Sequence, residues 1–169
     1  MQPLVRGGSQ ERNRRAGTEN VAGIVGFGEA ARLAGERGAS DAARIAGLRD
    51  ALEAALLASD PARTRRNGSA ERRICTTSNL SFEGVSGEDL LIALDLESIA
   101  VSTGAACAAG SPEPSHVLKA MGFSKDRVNS AIRFSLGRNN TRAEVDVAGA
   151  AVVRAVARLR GSSPSPRPL

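Results

Sequence analysis

Cys107 stands in the stretch STGAACAAGS, residues 102–111, where no side chain is larger than threonine. A thiolate is a strong nucleophile, but free cysteine titrates near ~8.5, so a cysteine used this way needs help to ionise. Unreactive free cysteines are normally buried as small hydrophobes, and small residues and glycine on both sides give this one nothing to pack against. The thiol is therefore expected on a mobile, exposed excursion. From its surroundings alone it is either an inert loop thiol or a used one. Cys75, in ICTTSNLSFE, carries the ordinary expectation of a buried residue in a strand.

Arg133 is the second candidate. In SAIRFSLG the apolar side chains Ile132, Phe134 and Leu136 alternate with Ala131, Arg133 and Ser135, the period of a half-buried strand. The guanidinium lies on the face opposite the apolar one, between two small side chains. It has room to receive a planar anion such as a carboxylate in a two-point contact, or simply to be solvated there. RGGSQERNRRAGT, residues 6–18, gathers arginines and glycines ahead of a helix. Its backbone N–H groups and the Thr18 hydroxyl could hold a phosphate, although loops of this composition commonly have no such role. His116 is the only histidine, and without a second histidine or a cysteine at ligand spacing no metal site is expected.

These residues need elements to position them. Thr18 is the expected N-cap of a helix running to about residue 34, with Val21, Ile24, Val25 and Ala31 on a face smoothed by Gly23, Gly26 and Gly28. A second helix is expected over residues 41–59, with Ile45, Leu48, Leu52 and Leu56 forming one apolar stripe. ARTRRNGSAERR reads as a polar loop. Strand character follows in ICTTSNLSFE, with Leu80 and Phe82 inward. Ser86 and Asp89 open a helix through LLIALDL, and IAVSTG reads as a short strand delivering the chain to Cys107. SHVLKAMG is a short helix closed by Gly122. Thr141 with Glu144 caps a last helix, striped by Val145, Ala148, Val152, Val156 and Leu159, ahead of an expected disordered tail.

Composition excludes several classes of function. Of 23 basic residues 21 are arginine, scattered along a chain of net charge +5, and aromatics are 2%. A clustered basic patch and a base-stacking platform are both missing, so no nucleic-acid partner is expected. No apolar run approaches the roughly 20 residues that cross a bilayer, and no signal peptide is evident; a cytoplasmic protein without a membrane partner is expected.

Three segments, GGSQERNRRAGTENVAGIVGFGEAA, STGAACAAGSPEPSHVLKAMG and NSAIRFSLGR, together resemble the C-terminal part of cysteine desulfurases of the iron-sulfur-cluster and nitrogen-fixation type. The resemblance runs from about residue 3 to 160. It implies an α/β fold: the small C-terminal domain of the aspartate-aminotransferase architecture of pyridoxal-phosphate enzymes, plus the closing loop and helix of the large domain. By the same resemblance, residues 1–34 end the large domain, 35–160 form the small domain carrying the cysteine loop, and 161–169 are a tail. Cys107 matches the cysteine that takes sulfur from L-cysteine as a persulfide, leaving L-alanine. Arg133 matches the ligand of the substrate carboxylate. Thr18 matches a residue contacting the pyridoxal 5'-phosphate group of the partner subunit in a homodimer. Sulfur-acceptor proteins, such as a cluster scaffold or tRNA-thiolation proteins, are the implied partners.

The chain departs from the family pattern in one large respect. The lysine that holds the cofactor, the ring stacked on it and the aspartate at its ring nitrogen belong to the family's larger domain, and neither Lys119 nor Lys125 stands in the expected context. Arg6 stands where the family commonly has histidine. The sequence thus reads as a truncated desulfurase, inactive alone; the alternative is a non-catalytic module that binds sulfur-acceptor proteins.

Overall fold

The computed structural model describes residues 2–103 and 115–162. The chain divides into two compact units, Met1–Ser40 and Asp41–Leu169.

In the first unit, α1 (Gln10–Asn13) is a single turn in which Glu11, Arg12 and Asn13 have φ of 51°, 57° and 62°, the left-handed region. Ala16, nearly fully buried, closes this loop by donating its N–H to the carbonyl of Val5. The helix that follows, α2 (Val21–Ser59), is capped by Asn20 rather than Thr18. The Asn20 side chain accepts from the Gly23 N–H at 3.0 Å, leaving Thr18 exposed two residues upstream. On this part of α2, Val21, Ile24, Val25 and Phe27 are exposed. Within the unit no atom comes within 4 Å of a Cβ built on Gly26 or Gly28, so no backbone approaches them there.

Two helices were expected between residues 18 and 59, and α2 is one. Nothing in LAGERGASD breaks it: there is no proline, Arg32 pairs with Glu29 and Glu36 one turn away on either side, and the Ser40 hydroxyl donates to the Arg37 carbonyl. Gly35 and Gly38 weaken the helix by ~1 kcal/mol each without ending it.

The second unit is built on an antiparallel sheet ordered β1 (Thr64–Arg66), β2 (Thr77–Phe82), β3 (Ala131–Ser135). One face is covered by the C-terminal part of α2 with α3 (Gly87–Asp95) and α6 (Arg142–Ser162). Leu52, Leu56, Leu80, Phe82, Leu90, Leu94, Ile132, Phe134, Val152 and Val156 form this core. On the other face α4 (His116–Ala120) and α5 (Lys125–Asn129) set Leu118, Val128 and Phe123 against Ala131. Ala131 is therefore buried, whereas Ser135 on the same strand face is exposed. Gly87 has to be glycine: a Cβ there would sit 2.9 Å from the Asn129 carbonyl oxygen.

Both expected caps of the later helices hold. Ser86 accepts from the Asp89 N–H, and Thr141 and Glu144 bond each other reciprocally. Other expectations are corrected. The polar loop contains β1, and α5 follows α4. Among its described residues, 99–103, IAVSTG has an isolated bridge at Ser102 in place of the expected strand. Cys75 lies in a turn ahead of β2 and is half-buried, not enclosed in the sheet. Gly161 and Ser162 belong to α6, while the remaining tail and Cys107 lie outside the described residues. No described helix is long and apolar enough to cross a membrane.

Candidate functional site

Register builds the site. Asn79 on β2 and Arg133 on β3 are directly paired. On the far side of β3, Arg133 and Ser102 exchange both backbone hydrogen bonds, Arg133 N–H to the Ser102 carbonyl at 2.6 Å and the reverse at 3.2 Å. Beyond β2, the N–H of Asn67, one residue past β1, donates to the Asn79 carbonyl at 2.8 Å. Paired residues point to the same face of a sheet, so Asn67, Asn79, Arg133 and Ser102 form one polar row across it. Phe82 N–H donates to the Ser130 carbonyl and Leu136 N–H to the Thr76 carbonyl. These bonds mark the alternate pairs of β2 and β3 as hydrogen-bonded. Asn79 and Arg133 are therefore the other kind of pair, in which side chains come closest. Arg133 is half-buried.

A second polar group braces β2 from the core face. Glu53 on α2 is buried and accepts from Arg66 on β1 at 2.9 Å, from Arg73 at 2.5 and 3.0 Å, and from the Ser78 hydroxyl at 2.6 Å. Burial pushes its carboxyl up, but the hydrogen bonds from Arg73, Ser78 and Arg66 and the charge of Arg73 outweigh burial and hold it at about 2. Arg49, also buried, reaches the Ile74 carbonyl at 2.7 Å, so the turn carrying Cys75 is tied to the same helix.

Of the residues singled out in the sequence, Arg133 and the segment entering the cysteine stretch meet at Ser102. Cys107 itself lies outside the described residues. Thr18 is in the first unit, exposed, and its hydroxyl makes no hydrogen bond among the described residues. His116 is exposed at the first position of α4, and no cluster of His, Cys, Asp or Glu suited to a metal occurs among the described residues. Asn67, Asn79 and Ser102 were not foreseen. Leu80 and Phe82 set the alternation that puts Asn79 on the polar face, but its pairing with Arg133 depends on a register that no local pattern specifies.

The family described as "Aminotransferase class-V" matches residues 5–147. A cysteine desulfurase of Bradyrhizobium diazoefficiens is 48% identical over 162 residues, 96% of this chain and 41% of that protein. "Cysteine desulfurase IscS" of Methanosarcina thermophila is 43% identical over 96% of this chain and 40% of its own length. The solved structure of a NifS-like protein superimposes with a TM-score of 0.80 at 32% identity, covering 94% of this chain and 40% of that one. The chain thus spans about two fifths of the proteins it matches. Its mixed helix and sheet architecture is part of the pyridoxal-phosphate fold type I to which these structures belong.

Proposed function

Because the chain belongs to the class-V aminotransferase family, we propose that it forms the part of a cysteine desulfurase that receives the carboxylate of L-cysteine at Arg133 and its sulfur at Cys107. The Cys107 thiolate attacks the substrate sulfur, the carbon–sulfur bond breaks, a proton replaces sulfur on carbon to give L-alanine, and the sulfur remains on Cys107 as a persulfide for an acceptor protein. Pyridoxal phosphate, when bound, supplies the electron sink that this bond cleavage needs.

The supporting observation is the two-way backbone pairing of Arg133 with Ser102, which holds Arg133 beside the segment that runs towards Cys107 in the sequence. The names of the relatives point the same way. Thr18 fits a contact to the cofactor phosphate of a partner subunit in a homodimer, because its hydroxyl is exposed and has no partner among the described residues. Lys119 and Lys125 are both exposed on short helices, a poor setting for a lysine that must hold a cofactor. That lysine comes instead from the portion of the relatives that this chain does not span, and the chain alone is inactive. The short span also favours a second reading, a non-catalytic module that binds sulfur-acceptor proteins in the cytoplasm.

Arg133→Lys tests the assignment. In this chain joined to the cofactor-binding portion of a relative, the substitution should raise KM for L-cysteine by roughly tenfold or more, because a point charge cannot reproduce the bidentate contact. The unfolding temperature should hold, since the side chain lies off the core face. Unchanged KM with lowered thermal stability would make Arg133 a structural residue.

A further inference from the structure

We propose that Asn79 is a second ligand for the substrate carboxylate, its side-chain amide donating beside the Arg133 guanidinium. The proposal rests on the assignment of Arg133 given above and extends it to a residue that the family resemblance did not supply.

Hydrogen-bond logic fixes the orientation of the amide. Arg127 can only donate, and its Nε lies 2.8 Å from the Asn67 side-chain oxygen, so that oxygen is the acceptor. The Asn67 amide nitrogen must then be the donor of its two contacts, to Asn79 Oδ1 at 2.7 Å and to the Ser81 hydroxyl at 2.7 Å. The Ser81 hydroxyl passes its own proton to the Arg127 carbonyl at 2.7 Å, which closes the circuit. Arg127 is held in turn by a bond from Nη2 to the Arg66 carbonyl at 2.8 Å and by the ring of Phe123, 4.0 Å from its guanidinium carbon.

With its oxygen committed to Asn67, Asn79 keeps Nδ2 as a donor, and that nitrogen finds no acceptor among the described residues. Asn79 is half-buried and directly paired with Arg133 in the closer-approaching kind of antiparallel pair. A carboxylate offers about four acceptor positions, of which a bidentate guanidinium uses two. An amide N–H held alongside can take a third. The Arg127–Asn67 relay makes this donor pre-set: turning the Asn79 amide over would bring its NH2 against the NH2 of Asn67.

The test uses the 169-residue chain labelled with 15N and titrated with sodium acetate, with L-cysteine and with cysteamine, which lacks the carboxylate. Acetate and L-cysteine should shift the Asn79 Nδ2 and Arg133 Nε signals together and saturably, and cysteamine should shift neither. Movement of Arg133 without Asn79 would overturn the proposal and leave Arg133 as a lone ligand. If neither signal moved, the assignment of Arg133 would fail and Asn79 with it. Asn79→Asp separates binding from support, because its Oδ1 still accepts from Asn67 while the donor is replaced by a negative charge. It should weaken carboxylate binding at least about tenfold with no fall in unfolding temperature. Binding equal to that of the unsubstituted chain would make the amide purely structural and overturn the proposal.

Discussion

Glu53→Ala will lower the stability of the Asp41–Leu169 unit by roughly 3 kcal/mol, read as a shift of its urea or thermal unfolding transition. The Glu53 side chain is 4% exposed, and Arg66 and Arg73, at 31% and 17%, both discharge onto it. Without it two guanidinium groups face each other across a cavity, and the Ser78 hydroxyl loses its acceptor. Arg73 keeps Asp50 at 2.9 Å, which holds the effect near the low end for a broken buried pair. A change of sub-kilocalorie size would mean that water replaces the carboxylate at little cost.

The same group sets an acid limit. Its carboxyl is depressed from 4.5 to about 2, so the stability it contributes is fully present above 4.5 and is lost as pH falls from there towards 2. The difference in unfolding free energy between the unsubstituted chain and Glu53→Gln should be flat above about pH 5 and shrink steadily below 4.5. A difference that grew on acidification would contradict the sign.

This cluster explains what the sequence concealed. The stripe Ile45, Leu48, Leu52, Leu56 and the alternations around Leu80 and Ile132 announced the main layer, because burial imposes a period on apolar residues. Thr64–Arg66 carries no such period. It is a three-residue edge strand recruited by an ion pair from Arg66 to a glutamate 13 positions upstream, and the reading of a polar loop followed from its composition. Likewise SFEGV, SHVLK and FSKDRVNS gave no sign that α4 and α5 would cover Ala131 while leaving Arg133 half-buried beside Asn79. As candidates, Cys107 and Arg133 were legible from their neighbours, and Thr18 chiefly from the family resemblance. The polar row was not, since it depends on the pairing of residues 67, 79, 133 and 102 from four separate segments.

The expected role of Cys107 as sulfur carrier has an all-or-none consequence. The chain mixed with pyridoxal phosphate and L-cysteine should release no sulfide above a protein-free control, because Lys119 and Lys125 are exposed and unsuited to hold the cofactor. Joined in frame to the amino-terminal portion of the Bradyrhizobium diazoefficiens relative, it should release sulfide steadily. Cys107→Ser should abolish that release, since the substitution removes the thiol proposed to attack the substrate sulfur. The most direct measurement is mass spectrometry of the joined enzyme after brief exposure to L-cysteine without an acceptor. A single added sulfur atom on the peptide containing Cys107 is the predicted result. The added sulfur on Cys75, or Cys107-dependent sulfide from the chain by itself, would contradict it.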